Sequence, residues 1–227
     1  MVEKIKVALV GLGNCFSGLI QGIEYYRKNP SQQVIGIIHE KLRDYSIHDI
    51  DFVAGFDVGE NKIGKAVNDA IYELPNMVNW IDKNDMPKTE GMVHESPALD
   101  GVGIWVENKV KPIQSGKSQS ELESEIKQIL KETGTEIIVS YLPVGSEKAT
   151  QFWANICLET NTAFVNCMPA FIASDKEWAQ KFKEKNIPII GDDIKGQVGA
   201  TIVHRTLARL CDERGTKIEK TYQINVG

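Results

Sequence analysis

Apolar and polar positions follow two rhythms along this chain: short continuous apolar runs, and longer stretches with apolar residues at helical spacing. Val7, Ala8, Leu9 and Val10 form the first run, which suits a strand buried on both faces of a parallel sheet, and it stops at Gly11, Gly13 and Asn14. From Asn14 to Lys28 the spacing of Leu19, Ile20, Ile23 and Tyr26 predicts a helix, ended by Asn29-Pro30. The next stretch, VIGIIHEKLRDYSIHDI, reads as an insertion with its own strand at Val34 to Ile38. A second strand then covers Asp51 to Phe56 and ends in Asp57, with a helix over Ile63 to Tyr72.

Residues 74–117 are the least regular part, carrying Pro75, Pro87, Pro97 and Pro112, and read as an ordered excursion with a small element around Gly103 to Val106. Alternation returns at Ser118. Ser120 and Glu123 form a candidate capping box for a helix to about Glu132, followed by a strand at Glu136 to Tyr141 and the loop Leu142-Pro143-Val144-Gly145. Ser146 starts the next helix, Ala163 to Cys167 is a strand, and Ser174 with Glu177 gives a second capping box. The run Ile187-Pro188-Ile189-Ile190 is another buried strand, ending at Gly191-Asp192-Asp193. Gly196 and Gly199 open a helix to about Arg214 that packs Val203, Leu207 and Leu210, with Gly215 as its stop, and Thr221 to Val226 alternates as a strand. Five strand–helix alternations predict an α/β fold, a Rossmann-like, doubly wound, mostly parallel sheet with helices on both faces and ligands beyond the carboxyl ends of its strands. The whole of 1–227 reads as one such domain, with insertions at about 29–50 and 74–117.

Composition narrows the function. A chain of 227 residues, 42% hydrophobic and 25% charged, is an ordinary soluble globular protein. Its formal net charge of -5 gives no overall reason to bind nucleic acid or an anionic membrane. The first strand begins almost at once and no apolar run approaches spanning length, so the expectation is a cytoplasmic protein. Cys15, Cys157, Cys167 and Cys211 are too widely spaced for a metal or redox motif and read as reduced thiols. His39, His48, His94 and His204 show no metal-ligand spacing either, so no metal ligand is assigned.

Two stretches carry candidate chemistry. In Gly11 to Asn14 the glycines let the backbone turn sharply and approach a pyrophosphate, while free N–H groups of the following helix point at the anion. Phe16 occupies the third fingerprint position, where a small residue is usual, and Gly18 is the candidate to take over the close packing. Asp57, at a strand's carboxyl end, is the candidate for the ribose diol, or alternatively an N-cap for the next helix. In GDDIKGQVGA, the paired Asp192 and Asp193 with Lys195 are suited to shuttle protons or hold a divalent cation, or else form a charged N-cap with a solvated lysine.

The blocks VALVGLGNC, QGIEYY, DFVAGFDV, IIVSYLPVGSEKA, AFVNCMPAFIASD, GDDIKGQVGATIVHR and INVG, in this order, resemble the NAD-dependent myo-inositol-phosphate synthase family in its archaeal and bacterial branch. The resemblance implies a redox-neutral conversion of glucose 6-phosphate to inositol phosphate, through oxidation at C5, enolisation, aldol closure onto C1 and return of the hydride. It places Gly11, Gly13, Asn14 and Cys15 at the pyrophosphate and Asp57 at the adenosine ribose. It further sets Ser140, Leu142 and Pro143 beside the cofactor, Asp192, Asp193 and Lys195 around the nicotinamide, and Asn225 toward the substrate. In the family, a lysine-rich segment and the sheet that builds the homotetramer follow INVG. The resemblance therefore implies that these 227 residues stop before the tetramerisation and catalytic domain and are inactive alone. Two other readings stay open: a different NAD-dependent sugar or semialdehyde dehydrogenase, which would accumulate NADH, and a nucleotide-binding module without catalysis.

Overall fold

The computed structural model describes residues 3–30, 36–102, 107–194 and 198–224. Its strands are β1 (Ile5–Val10), β2 (Lys41–Leu42), β3 (Tyr45–Ser46), β4 (Ile50–Asp57), β5 (Met92–Glu95), β6 (Ile137–Ser140), β7 (Ala163–Asn166) and β8 (Ile189–Ile190). Its helices are α1 (Asn14–Lys28), α2 (Val67–Ala70), α3 (Gln119–Thr133), α4 (Glu147–Thr160), α5 (Lys176–Glu184) and α6 (Ala200–Glu213). β2 and β3 make a small antiparallel pair, and the other six strands form one parallel sheet in the order β5-β4-β1-β6-β7-β8. With the hairpin set aside, the sheet runs third, second, first, fourth, fifth, sixth in chain order, the doubly wound arrangement whose switch point lies between β1 and β6.

The first strand shows why both faces are covered. Val7 and Leu9 point into a core with Phe16, Ile20 and Ile23 of α1, whereas Ala8 and Val10 point into a second core with Ile126 of α3, Trp153 of α4 and Phe182 of α5. Alternate residues of a strand face opposite sides, so an unbroken apolar run is what two buried faces require. In β4 the pairing jumps from Val7↔Phe52 to Ala8↔Ala54, so Val53 is the extra residue of a bulge. That one residue puts Phe52 with the α1 side and Ala54 and Phe56 with the other side.

Several expectations are corrected. The strand read at Val34 to Ile38 is absent from the described part of that stretch, Gly36 to Ile38, and Val34 lies outside the described residues, as do Gly103 to Val106. The helix expected over Ile63 to Tyr72 shrinks to Val67–Ala70, because Gly64 takes φ +81° and Ala66 is extended, which a continuous helix does not permit. The capping box of α3 is Ser118 with Glu121, not Ser120 with Glu123. α5 is capped by Asp175, whose carboxylate accepts from Glu177 N and Trp178 N, not by Ser174. β5 was missed entirely.

The chain separates into two compact units, Met1–Asp193 and Ile194–Gly227. The second unit contains α6, and Val203, Leu207 and Leu210, expected to pack, are each about half exposed. Thr221 to Ile224, expected to begin a strand, form none, and Tyr222 and Ile224 stand in solvent. A period-two pattern states which face a strand would bury, but a strand exists only beside a partner.

Candidate dinucleotide site

The site is built at the carboxyl end of β1. Gly11 N donates to Phe56 O at 2.9 Å, tying the turn to β4, while Tyr141 N donates to Val10 O at 2.9 Å on the β6 side. Gly11 has φ +81°, and a Cβ there would lie 2.7 Å from the Tyr141 carbonyl oxygen. Both the torsion and the crowding demand glycine. Gly13 is different: it caps α1 with φ -83°, and a Cβ on it would meet nothing within 4 Å. Its smallness therefore leaves open space in front of the helix. α1 has no side-chain cap and no acid in its first turn, so the dipole and free N–H groups at its start remain available to an anion.

Phe16 and Gly18 do not behave as the fingerprint suggests. Phe16 is fully buried and meets the Tyr141 ring edge to face at 4.7 Å, so the third position is filled by an aromatic that wedges α1 against the loop after β6. A Cβ on Gly18 would touch only the Trp80 ring, at an ordinary 3.6 Å, so no close helix–sheet approach depends on it.

An open cleft of about 270 Å³ lies over this turn, and Gly11, Gly13, Asn14, Cys15, Asp57, Leu142 and Pro143 all line it. Seven of the residues singled out from sequence are thereby brought to one place. Ser140 sits beneath, fully buried, with its hydroxyl lacking a hydrogen-bond partner among the described residues. Tyr141, which no sequence motif singles out, also lines the cleft. Burial above all, with a hydrogen bond to the Cys167 thiol, pushes the Tyr141 hydroxyl well above its usual range, so it acts as a donor and stays protonated. Burial likewise raises the Cys167 thiol. All four cysteines are free.

Asp57 holds the strand-end position expected of it, but its carboxylate is already engaged. Oδ2 accepts from Leu12 N at 2.8 Å, and Oδ1 accepts from Val58 N and Gly59 N, each at 2.8 Å. The alternative of a helix N-cap is not realised, since the following helix is capped at Ala66.

Asp192 and Asp193 do not line the cleft. They follow β8, three strands along from β1. Asp192 receives four donors: Asn166 Nδ2 at 2.7 Å, Ile172 N at 2.9 Å, Ala173 N at 3.0 Å and Ser174 N at 2.9 Å. Burial works to raise its carboxyl, but these donors outweigh it and hold the pKa below the usual value. A carboxylate so satisfied shapes the loop before α5; the idea that it shares a proton with Asp193 does not fit it. Asp193 N donates to Met168 O at 2.9 Å, securing the same corner. Lys195 and Asn225 lie outside the described residues. Among the described residues, no group of three or more His, Cys, Asp or Glu is arranged to hold a metal ion, and no helix is long and apolar enough to cross a membrane.

No family model matches the chain. It is 44% identical over 225 residues to an inositol-3-phosphate synthase of Mycolicibacterium smegmatis, covering 99% of this chain and 60% of that protein. It is 45% identical over 229 residues to an inositol-3-phosphate synthase of Corynebacterium glutamicum, covering 98% of this chain and 60% of that protein. Among solved structures, the crystal structure of Ari2 aligns over 94% of this chain and 61% of its own with TM-score 0.79 and 30% identity. A myo-inositol-1-phosphate synthase-related protein from Thermotoga maritima aligns over 94% of this chain and 60% of its own with TM-score 0.75 at 23% identity, which supports the fold. The chain thus spans about 60% of the length of the curated relatives it matches. Through these matches it is placed in the inositol-3-phosphate synthase family.

Proposed function

We propose that this chain is the cofactor-holding part of an NAD-dependent inositol-phosphate synthase acting on glucose 6-phosphate. The observation that carries the reading is the uncapped, acid-free start of α1 behind a glycine turn, set at the switch point of a doubly wound sheet. The residues fit a dinucleotide: Gly11 lets the turn pass under the Tyr141 carbonyl, and Gly13 leaves the space an anion needs. First-turn N–H groups of Asn14 and Cys15 would hold the pyrophosphate, with Asp57 at the ribose side and Leu142 and Pro143 against the cofactor's flank. When bound, NAD supplies a hydride acceptor that is restored within each turnover, so the overall conversion is redox-neutral.

The chain's own groups bind and orient. Tyr141 lines the cleft and donates a hydrogen bond to the Cys167 thiol, and Asp192 fixes the corner that leads into Asp193. Asp193, Lys195 and Asn225 carry the proton and charge handling in this reading.

The test uses the full-length protein with glucose 6-phosphate and NAD. Inositol phosphate should form without net change in absorbance of reduced nicotinamide, whereas accumulating NADH would mark a simple dehydrogenase and defeat the synthase reading. Lys195→Ala should lower turnover with little change in NAD affinity, and a fully active variant would remove Lys195 from the chemistry.

A further inference from the structure

Leu12, between the two glycines of the turn, is gripped at both ends of its backbone. Its N–H donates to Asp57 Oδ2 at 2.8 Å, and its carbonyl accepts from Lys62 Nζ at 2.7 Å and from Asn76 Nδ2 at 2.8 Å. The three gripping side chains also hold one another. Lys62 Nζ donates to Asn76 Oδ1 at 3.3 Å and lies 3.7 Å from Asp57 Oδ2, while Asn76 Nδ2 reaches the Ile71 carbonyl at 2.9 Å. Lys62 is 3% exposed and Asn76 7%. Lysine is almost never so deeply buried unless paired, because desolvating an ammonium is costly. A neutral donor would suffice to satisfy one carbonyl. What this set adds is restraint of the Leu12 backbone from both sides, at the residue whose neighbours are Gly11 and Gly13.

We propose that Lys62 and Asn76 are positioning residues for a pyrophosphate: by fixing the Leu12 peptide they keep the glycine turn and the first turn of α1 in the geometry that receives the anion. The proposal rests on the dinucleotide reading of the cleft. Neither residue need touch the ligand, although both line the cleft wall behind the turn. A turn held before the ligand arrives loses little freedom on binding, and that saving goes to affinity for the group bound by the turn, not to the rest of the ligand.

The experiment compares ADP-ribose, titrated calorimetrically, with adenosine, followed by ligand-observed NMR, on the protein and on its Lys62→Met and Asn76→Ala variants. Affinity for ADP-ribose should fall about tenfold in each variant, as loss of one pre-fixed peptide implies, while adenosine affinity changes less than twofold. Equal losses for both ligands would mean that the pair only shapes the cleft, and unchanged ADP-ribose affinity would mean that it does not act on the turn; either result overturns the proposal. Should Lys62→Met fail to fold, Asn76→Ser leaves the Lys62–Asp57 pair in place and provides the same comparison. A parent protein that binds no ADP-ribose would instead overturn the dinucleotide reading, and this proposal with it.

Discussion

Gly11 and Gly13 are two letters of one motif, yet they are glycine for unlike reasons. At Gly11 a side chain would face a positive φ and a carbonyl oxygen 2.7 Å away, so Gly11→Ala should destabilise the fold by roughly 2 kcal/mol or more, read by chemical denaturation. Gly13→Ala has an ordinary φ and empty surroundings. It should leave the denaturation midpoint nearly unchanged and, under the proposed function, still weaken NAD binding, because the added methyl would fill the space that the proposal gives to the anion. If Gly13→Ala binds NAD as well as the parent does, the pyrophosphate does not sit there. Asp57 makes the opposite case, a candidate ligand that is also scaffold. Asp57→Ala strands three backbone N–H groups and leaves the buried Lys62 ammonium without its carboxylate, which should cost about 3–5 kcal/mol of stability in addition to any loss of cofactor affinity. A variant with parental stability would show that the carboxylate is not holding the turn.

Elements were legible where local pattern and tertiary need agree. α1 spans Asn14–Lys28 as its spacing predicts, and Ile20 and Ile23 of the predicted face join the core with β1 and β4, although Leu19 is exposed and Phe16 takes its place. β5 was illegible because Met92–Glu95 is short and only partly buried, and lies at the end of the six-stranded order. The α3 capping error was one of register: Ser118 and Ser120 both have a glutamate three residues on, and it is Ser118 that caps the helix burying Leu122, Ile126 and Leu130. Lys62 and Asn76 could not be found at all, because they reach Leu12 across 50 and 64 residues of sequence and no local pattern announces them. Asp192 was visible as a charge but not as a scaffold, and its role yields a pH test. Its folded pKa is depressed, so its stabilisation is full above the unfolded value near 4 and is lost as pH falls through the folded value. Asp192→Asn should therefore be less stable than the parent at neutral pH, by about 2 kcal/mol for a partly solvated carboxylate, with the gap closing under acid. A gap that persists unchanged at low pH would show that charge is not what the four donors hold.

At the scale of the molecule, the six parallel strands and both cores are contained in the first unit, Met1–Asp193, and the second unit has a different character. In α6 the residues Val203, Leu207 and Leu210 recur at helical spacing, yet no residue of that helix is buried. Ile218, Tyr222 and Ile224 add to the exposed apolar surface of the same unit. Hydrophobic periodicity identifies the face that seeks cover without identifying the cover. About 40% of the length of the matched relatives lies outside the match, which is length enough to supply such a cover. A single charge separates the possibilities. Leu207→Asp placed in the 227-residue chain meets water and should change unfolding free energy by less than about 0.5 kcal/mol. In a full-length protein that packs against α6, the same change buries an unpaired carboxylate and should cost about 3 kcal/mol or more, measured by denaturant titration of both lengths. Equal small effects at the two lengths would show that the α6 face stays in solvent in the longer protein as well.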